Sequence, residues 1–213
     1  MGISRDFFKF REAVNHIPNV YKRNLVQLLY LTAANPSEIC TRTTPSELKN
    51  QATKPYGKFM QWQLGKFTKK NDVLLIKVSL TRASQSSPAY KLIALPVHTS
   101  FEPWTADLLK RIAGNKKLEF DLTRVSVNKI VRESLASLLG REIRAKDLRQ
   151  TRLEHLAKLY GFDPYDLAAV AGKVVHRNLI MVEQTPEGME EMLELAWRRY
   201  FPKLQVPIRD LVM

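Results

Sequence analysis

Apolar residues recur at helical spacing in both flanks of the chain and follow a strand-like pattern in between. Phe7 to His16 and Val20 to Leu31 read as helices, the second with Leu25, Leu28 and Leu29 on its apolar face. Pro36, followed by Ser37 and Glu38, opens a short third helix, and Pro45 opens another turn. Phe59 to Phe67, Val73 to Arg82 and Ala89 to Val97 read as strands joined by KKND and ASQSSP. After Pro103 the helical period returns over Trp104 to Ala113, Ser126 to Leu139, Ala145 to Tyr160 and Pro164 to Ala171. A last helix, Pro186 to Tyr200, sets Met189, Met192, Leu193, Ala196, Trp197 and Tyr200 on one face and Glu187, Glu190, Glu191 and Glu194 on the other. With no internal repeat, low-complexity run or Gly/Ser linker, one domain over 1–200 is the simplest organisation. A tail over 201–213 follows, either packed on its own domain or docked on a partner.

Composition narrows the function more than the fold. A hydrophobic content of 45% and a charged content of 26% are ordinary for a globular protein. The charge balance is not: 34 Lys and Arg against 21 Asp and Glu give +13. Such a balance favours a polyanionic partner, because each neutralised phosphate releases condensed counterions. The basic residues cluster. Lys49 to Lys91 holds nine against one acid, Asp72, and Lys110 to Lys158 holds thirteen against six, whereas Glu183 to Glu194 holds five acids and no base. No apolar run is long enough to span a bilayer, and Arg5, Asp6, Lys9 and Arg11 stand where a signal-peptide core would lie. The single cysteine, Cys40, excludes an internal disulfide and reads as buried. His16, His98, His155 and His176 show no metal-ligand spacing, so neither metal nor cofactor is expected. His155 reads as a packed histidine, Trp62, Trp104 and Trp197 as core anchors, and Tyr160 and Tyr165 as packing residues. Together these features raise the expectation of a cytoplasmic, nucleic-acid-associated protein with no membrane partner, against the plainer reading of the charge as one that serves solubility.

One stretch adds chemistry. Lys146 to Lys173, KDLRQTRLEHLAKLYGFDPYDLAAVAGK, resembles the segment of a tyrosine recombinase that carries a catalytic arginine, present as Arg149. Upstream, TAANPSEI over Thr32 to Ile39 resembles the first box of that family, T-G-x-R-x-S-E-L, with Thr32, Ser37 and Glu38 matching and Asn35 in the arginine slot. TTPSELK resembles the family's lead into its sheet, and YKLIALPV resembles the strand returning from it. FDLTRVSVNKIVRESL resembles the next helix. Arg82 lies nearest the slot of the catalytic lysine, Lys146 occupies that of the first histidine, and Lys173 that of the histidine or tryptophan of the third element. No tyrosine occurs between Lys173 and Pro186, where the nucleophile is expected. The resemblance spans about Val20 to Val182. It implies an α+β, mainly helical fold like a tyrosine-recombinase catalytic domain, with a small three-stranded antiparallel sheet. Only Met1 to Asn19 precede it, so the resemblance also implies that the N-terminal DNA-clamping domain of many members is missing here.

The departures carry the functional expectation. Strand transfer builds negative charge on the phosphate oxygens, which paired arginines clamp in a bidentate geometry that lysine cannot copy. Losing one such donor commonly costs ~10²–10³ in rate, and losing the nucleophile removes the covalent route. The expectation is therefore a DNA-binding protein that contacts the phosphate backbone without cleaving it. Its contact residues are Arg82, Lys146, Arg149, Arg152, Lys173 and Arg177, with Lys146, Arg149 and Arg152 sharing one side of a helix. His176 is a candidate for an added basic contact or a displaced acid–base histidine. One alternative is a divergent active integrase or recombinase whose nucleophile is displaced, with Tyr200 donated in trans as the candidate. Another is an RNA-binding or assembly module. The C-terminal helix and tail are the candidate surface for homo-oligomerisation.

Overall fold

A computed structural model describes residues 3–40, 42, 59–64, 73–79, 90–98, 100–115, 120–172 and 201–204. The elements in chain order are α1 (Ile3–Asn15), α2 (Val20–Thr32), α3 (Pro36–Ile39), β1 (Phe59–Leu64), β2 (Val73–Ser79) and β3 (Tyr90–Pro96). They continue with α4 (Pro103–Asn115), α5 (Arg124–Leu139), α6 (Ala145–Lys158), α7 (Pro164–Val170) and α8 (Phe201–Leu204). The described chain is mainly helical. Most elements begin and end within a few residues of the boundaries read from periodicity. The Pro45 turn and the Pro186 to Tyr200 helix lie outside the described residues. None of the described helices is long and apolar enough to cross a membrane.

α2 is the axis of the helical part. The Asn19 side chain caps it by accepting the Lys22 N–H at 3.0 Å. Every residue from Leu25 to Thr32 is buried, as expected of a helix enclosed on all sides. α1, α4, α5 and α6 enclose it, with α6 the most extensive neighbour. Inside this layer the Tyr30 ring lies 5.4 Å from that of Trp104 and 4.9 Å from that of Phe10. Arg11 of α1 bonds Glu102, just before α4, through two contacts of 2.7 and 3.3 Å, and stacks 4.1 Å above the Trp104 ring. Both ions are buried, so removing either would leave the other uncompensated, a loss of about 3–5 kcal/mol.

The sheet is antiparallel in the order β1-β2-β3. Leu74, Ile76 and Val78 of β2 are buried, and their register partners on β3 are Leu95, Ile93 and Lys91, which are buried too. The period of two therefore carries a lysine into an inward position where an apolar residue is the norm. α3 packs beside β2, and α7 and α8 pack beside β3. The chain leaving α3 is pinned to the segment entering α5 by a parallel bridge between Cys40 and Phe120, with Phe120 N–H donating to the Ile39 carbonyl at 3.1 Å.

The start of the expected tail belongs to the domain. Leu204 is buried with the core, and the Lys203 ammonium pairs with the carboxylate of buried Asp166 on α7. Residues 205–213 lie outside the described residues.

Candidate functional site

The site is built where α2 ends. Ala33 takes a left-handed conformation, φ 46°, which turns the chain sharply. Its N–H donates to the Tyr30 carbonyl at 3.1 Å and that of Ala34 to Leu29 at 3.3 Å, closing the end of α2. Asn35 then caps α3. Its backbone N–H donates to one carboxylate oxygen of Glu38 at 2.9 Å, and its side-chain amide donates to the other at 2.9 Å. The residue in the arginine slot is thus committed to an internal bond.

The positive charge arrives from β3 instead. Lys91, 3% exposed, donates from Nζ to the Ala33 carbonyl at 2.8 Å and lies 3.8 Å from the Glu38 carboxylate. Burial pulls its pKa down to about 8; Glu38 acts in the opposite sense, and the nearby Arg149 guanidinium adds to the lowering. Arg149 comes from α6, is half-buried, and donates from Nη2 to the Ala171 carbonyl at 2.6 Å. It makes no other hydrogen bond or ion pair among the described residues, which leaves the rest of its planar fork available to a phosphate. One turn earlier on α6, Lys146 is exposed.

Arg152 does not join them. A step of three residues lags a full helical turn by 60°, so two steps rotate a side chain through 120°, from solvent into the core. Arg152 is 2% exposed, with its guanidinium 5.1 Å from the centre of the Tyr30 ring and 6.0 Å from that of Tyr160. Its Nε and Nη1 have no hydrogen-bond partner among the described residues. The expected phosphate-tracking face therefore loses Arg152, and the solvent stripe of α6 is Lys146, Gln150, Glu154 and Lys158. Arg82, Lys173, His176, Arg177 and Tyr200 lie outside the described residues.

Other expectations divide. His155 is buried, and its Nδ1 lies 2.8 Å from the Tyr30 hydroxyl. Burial, then the neighbouring Arg152 and Arg11, drive its pKa to about 3, which keeps it neutral and makes it a packing group. Cys40, Trp104 and Tyr160 are buried as expected, whereas Tyr165 is exposed because its place on the short α7 faces outward. Burial pushes the hydroxyl pKa of both Tyr30 and Tyr160 upward, so neither is an activated nucleophile. No cluster of three or more His, Cys, Asp or Glu able to hold a metal occurs among the described residues.

Sequence reasoning missed Lys91, and it gave the basic run from Lys110 to Lys158 without its placement in the fold. Lys91 was legible only as a lysine in phase with Ile93 and Leu95, and that phase becomes meaningful once the strand is paired with β2. In the fold, that run supplies the surface beside the start of α6. Ala145 N–H donates to the Asn128 side chain at 3.4 Å, bringing this end of α6 against α5. Arg124, Lys129, Arg132, Arg141, Arg144 and Lys146 are all exposed on α5, the connecting turn and α6. Glu133 and Glu142 pair with Lys129 and Arg144 at 3.8 and 3.5 Å, whereas Arg132, Arg141 and Lys146 have no ion pair among the described residues. No protein-family model, curated protein or solved structure matches this chain.

Proposed function

We propose that the chain is a DNA-binding protein with a tyrosine-recombinase-like fold that holds the phosphate backbone at Arg149 and does not cut it. The observation that carries this reading is the state of Arg149: charged, half-buried, anchored by one bond to Ala171 and otherwise unpaired among the described residues. A guanidinium held in this way is pre-organised for a phosphate oxygen pair. The net charge of +13 and the exposed cations of α5 and α6 favour the same partner and steer it by long-range attraction. Asn35, engaged with Glu38, offers no second transition-state cation, and the stretch from Lys173 to Pro186 has no tyrosine to act as nucleophile. These features support ground-state binding without a covalent step.

The test is a supercoiled plasmid titrated with the protein and run with and without SDS and protease. Binding without chemistry gives a shift that SDS abolishes and leaves the plasmid supercoiled. Relaxed or nicked plasmid that survives SDS overturns the reading in favour of an active enzyme, and absence of any shift overturns DNA binding itself. Within the binding reading, Arg149→Ala weakens affinity and lowers the slope of log K against log salt by about one.

A further inference from the structure

Lys91 is the charged residue that this account of Arg149 leaves without a task. It sits at an inward strand position opposite Val78, in phase with Ile93 and Leu95. Its ammonium reaches the carbonyl of the left-handed Ala33 and faces the Glu38 carboxylate. The charged groups around it come from different elements. α3 contributes Glu38 and α6 contributes Arg149. α7 and α8, which also meet β3, contribute Asp166 and Lys203, and these pair with each other. Across the ladder on β2 stands the apolar Val78.

We propose that Lys91 is the positioning residue of this site: from β3 it fixes the turn from Ala33 to Glu38 and supplies, out of reach of solvent, a second positive charge behind the phosphate held at Arg149. The proposal rests on the phosphate-binding reading of Arg149. It accounts for the freedom of position 35 to carry a neutral residue, since Asn35 satisfies Glu38 while the cation comes from the sheet. It also makes the site sensitive to protons. Burial brings the ammonium into a range where it loses its proton near pH 8, and that loss removes one positive charge beside Arg149. By linkage, an anion at Arg149 favours the protonated form of Lys91, and deprotonation weakens binding of the anion.

The experiment measures the affinity of the full chain for a short DNA duplex at fixed ionic strength, from about pH 7 to about pH 9.5. The wild type loses roughly three- to tenfold in affinity across this range, the scale of one nearby charge in a partly screened site. Lys91→Met binds more weakly at the lower pH and shows no comparable loss. Lys91→Arg, whose guanidinium keeps its charge, binds tightly throughout. A wild-type profile parallel to that of Lys91→Met, or an Arg variant that loses affinity with the wild type, overturns the proposal.

A second measurement needs no DNA. The folded pKa of Lys91 lies below its ordinary 10.5, so between about 8 and 10.5 the unfolded chain holds a proton that the native state has released. The stability of the wild type relative to Lys91→Met therefore rises with pH across that window in urea unfolding. A flat difference removes the buried, titrating lysine and overturns the proposal by itself. Failure of the wild type to bind DNA at any pH sinks the phosphate site and this proposal together, and the unfolding result tells that failure apart from one at Lys91 alone.

Discussion

Ala33 adopts a backbone conformation that crowds its own Cβ, at a cost of roughly 1–2 kcal/mol for an L-residue. Glycine would take it without strain, but glycine also loses a buried methyl and starts from a more disordered unfolded chain. The clean comparison is with Ala34, which is equally buried and does not have a positive φ. Ala33→Gly is expected to leave the protein about 1–2 kcal/mol more stable than Ala34→Gly, read from urea midpoints. Equal losses in the two variants would mean the turn stores no strain. The sequence did not announce this conformation, because an alanine after a helical run looks like more helix. What holds it is tertiary: the Lys91 ammonium on its carbonyl and the Glu38 carboxylate on the following cap.

At the scale of the element, α6 shows why a helix can be legible while its orientation is not. Its existence follows from a periodic run bounded by Arg144 and Leu159, and the Asp147 carboxylate secures its start by accepting the Arg144 N–H at 2.8 Å. Its core-facing set is Ala145, Leu148, Arg152, His155 and Leu156. Two of those five are ionisable, so a reading based on polarity turns Arg152 toward solvent and supposes a basic stripe. Tyr30, Tyr160 and Phe7 supply the aromatic surroundings that accept Arg152 and His155, and those contacts join segments far apart in the chain. The two arginines should consequently behave differently. Arg149→Ala lowers DNA affinity and its salt dependence, whereas Arg152→Met preserves both, because the replaced group never reaches the surface. Parallel losses in the two variants, measured by anisotropy over a salt series, would return Arg152 to the DNA-contacting set.

For the whole molecule, the layout of helices around a small sheet was legible because burial imposes a period on each element, and the periods survive mixed composition. The interior chemistry was hidden because it gathers ionisable groups from separate segments: Arg11, Glu102, Arg152 and His155 lie around Tyr30, Trp104 and Tyr160. That interior sets how the fold responds to acid. His155 is neutral there, with its pKa lowered from 6.5 to about 3 by burial and by the adjacent arginines. Between those values the unfolded chain takes up a proton that the native state refuses, so stability is full above about pH 6.5 and falls as the pH drops through the window. The loss from this group alone approaches about 1.4 kcal/mol per pH unit once the unfolded histidine is charged. His155→Gln keeps a polar partner for the Tyr30 hydroxyl but cannot titrate. Urea unfolding from about pH 7 to about pH 4.5 should therefore show the wild type losing stability faster than the variant, whatever the variant's starting level. Other acidic groups act equally in both proteins and cancel in the difference. If the two curves run parallel, His155 already takes up its proton in the folded state, and the cationic core around Tyr30 is open enough to accept it.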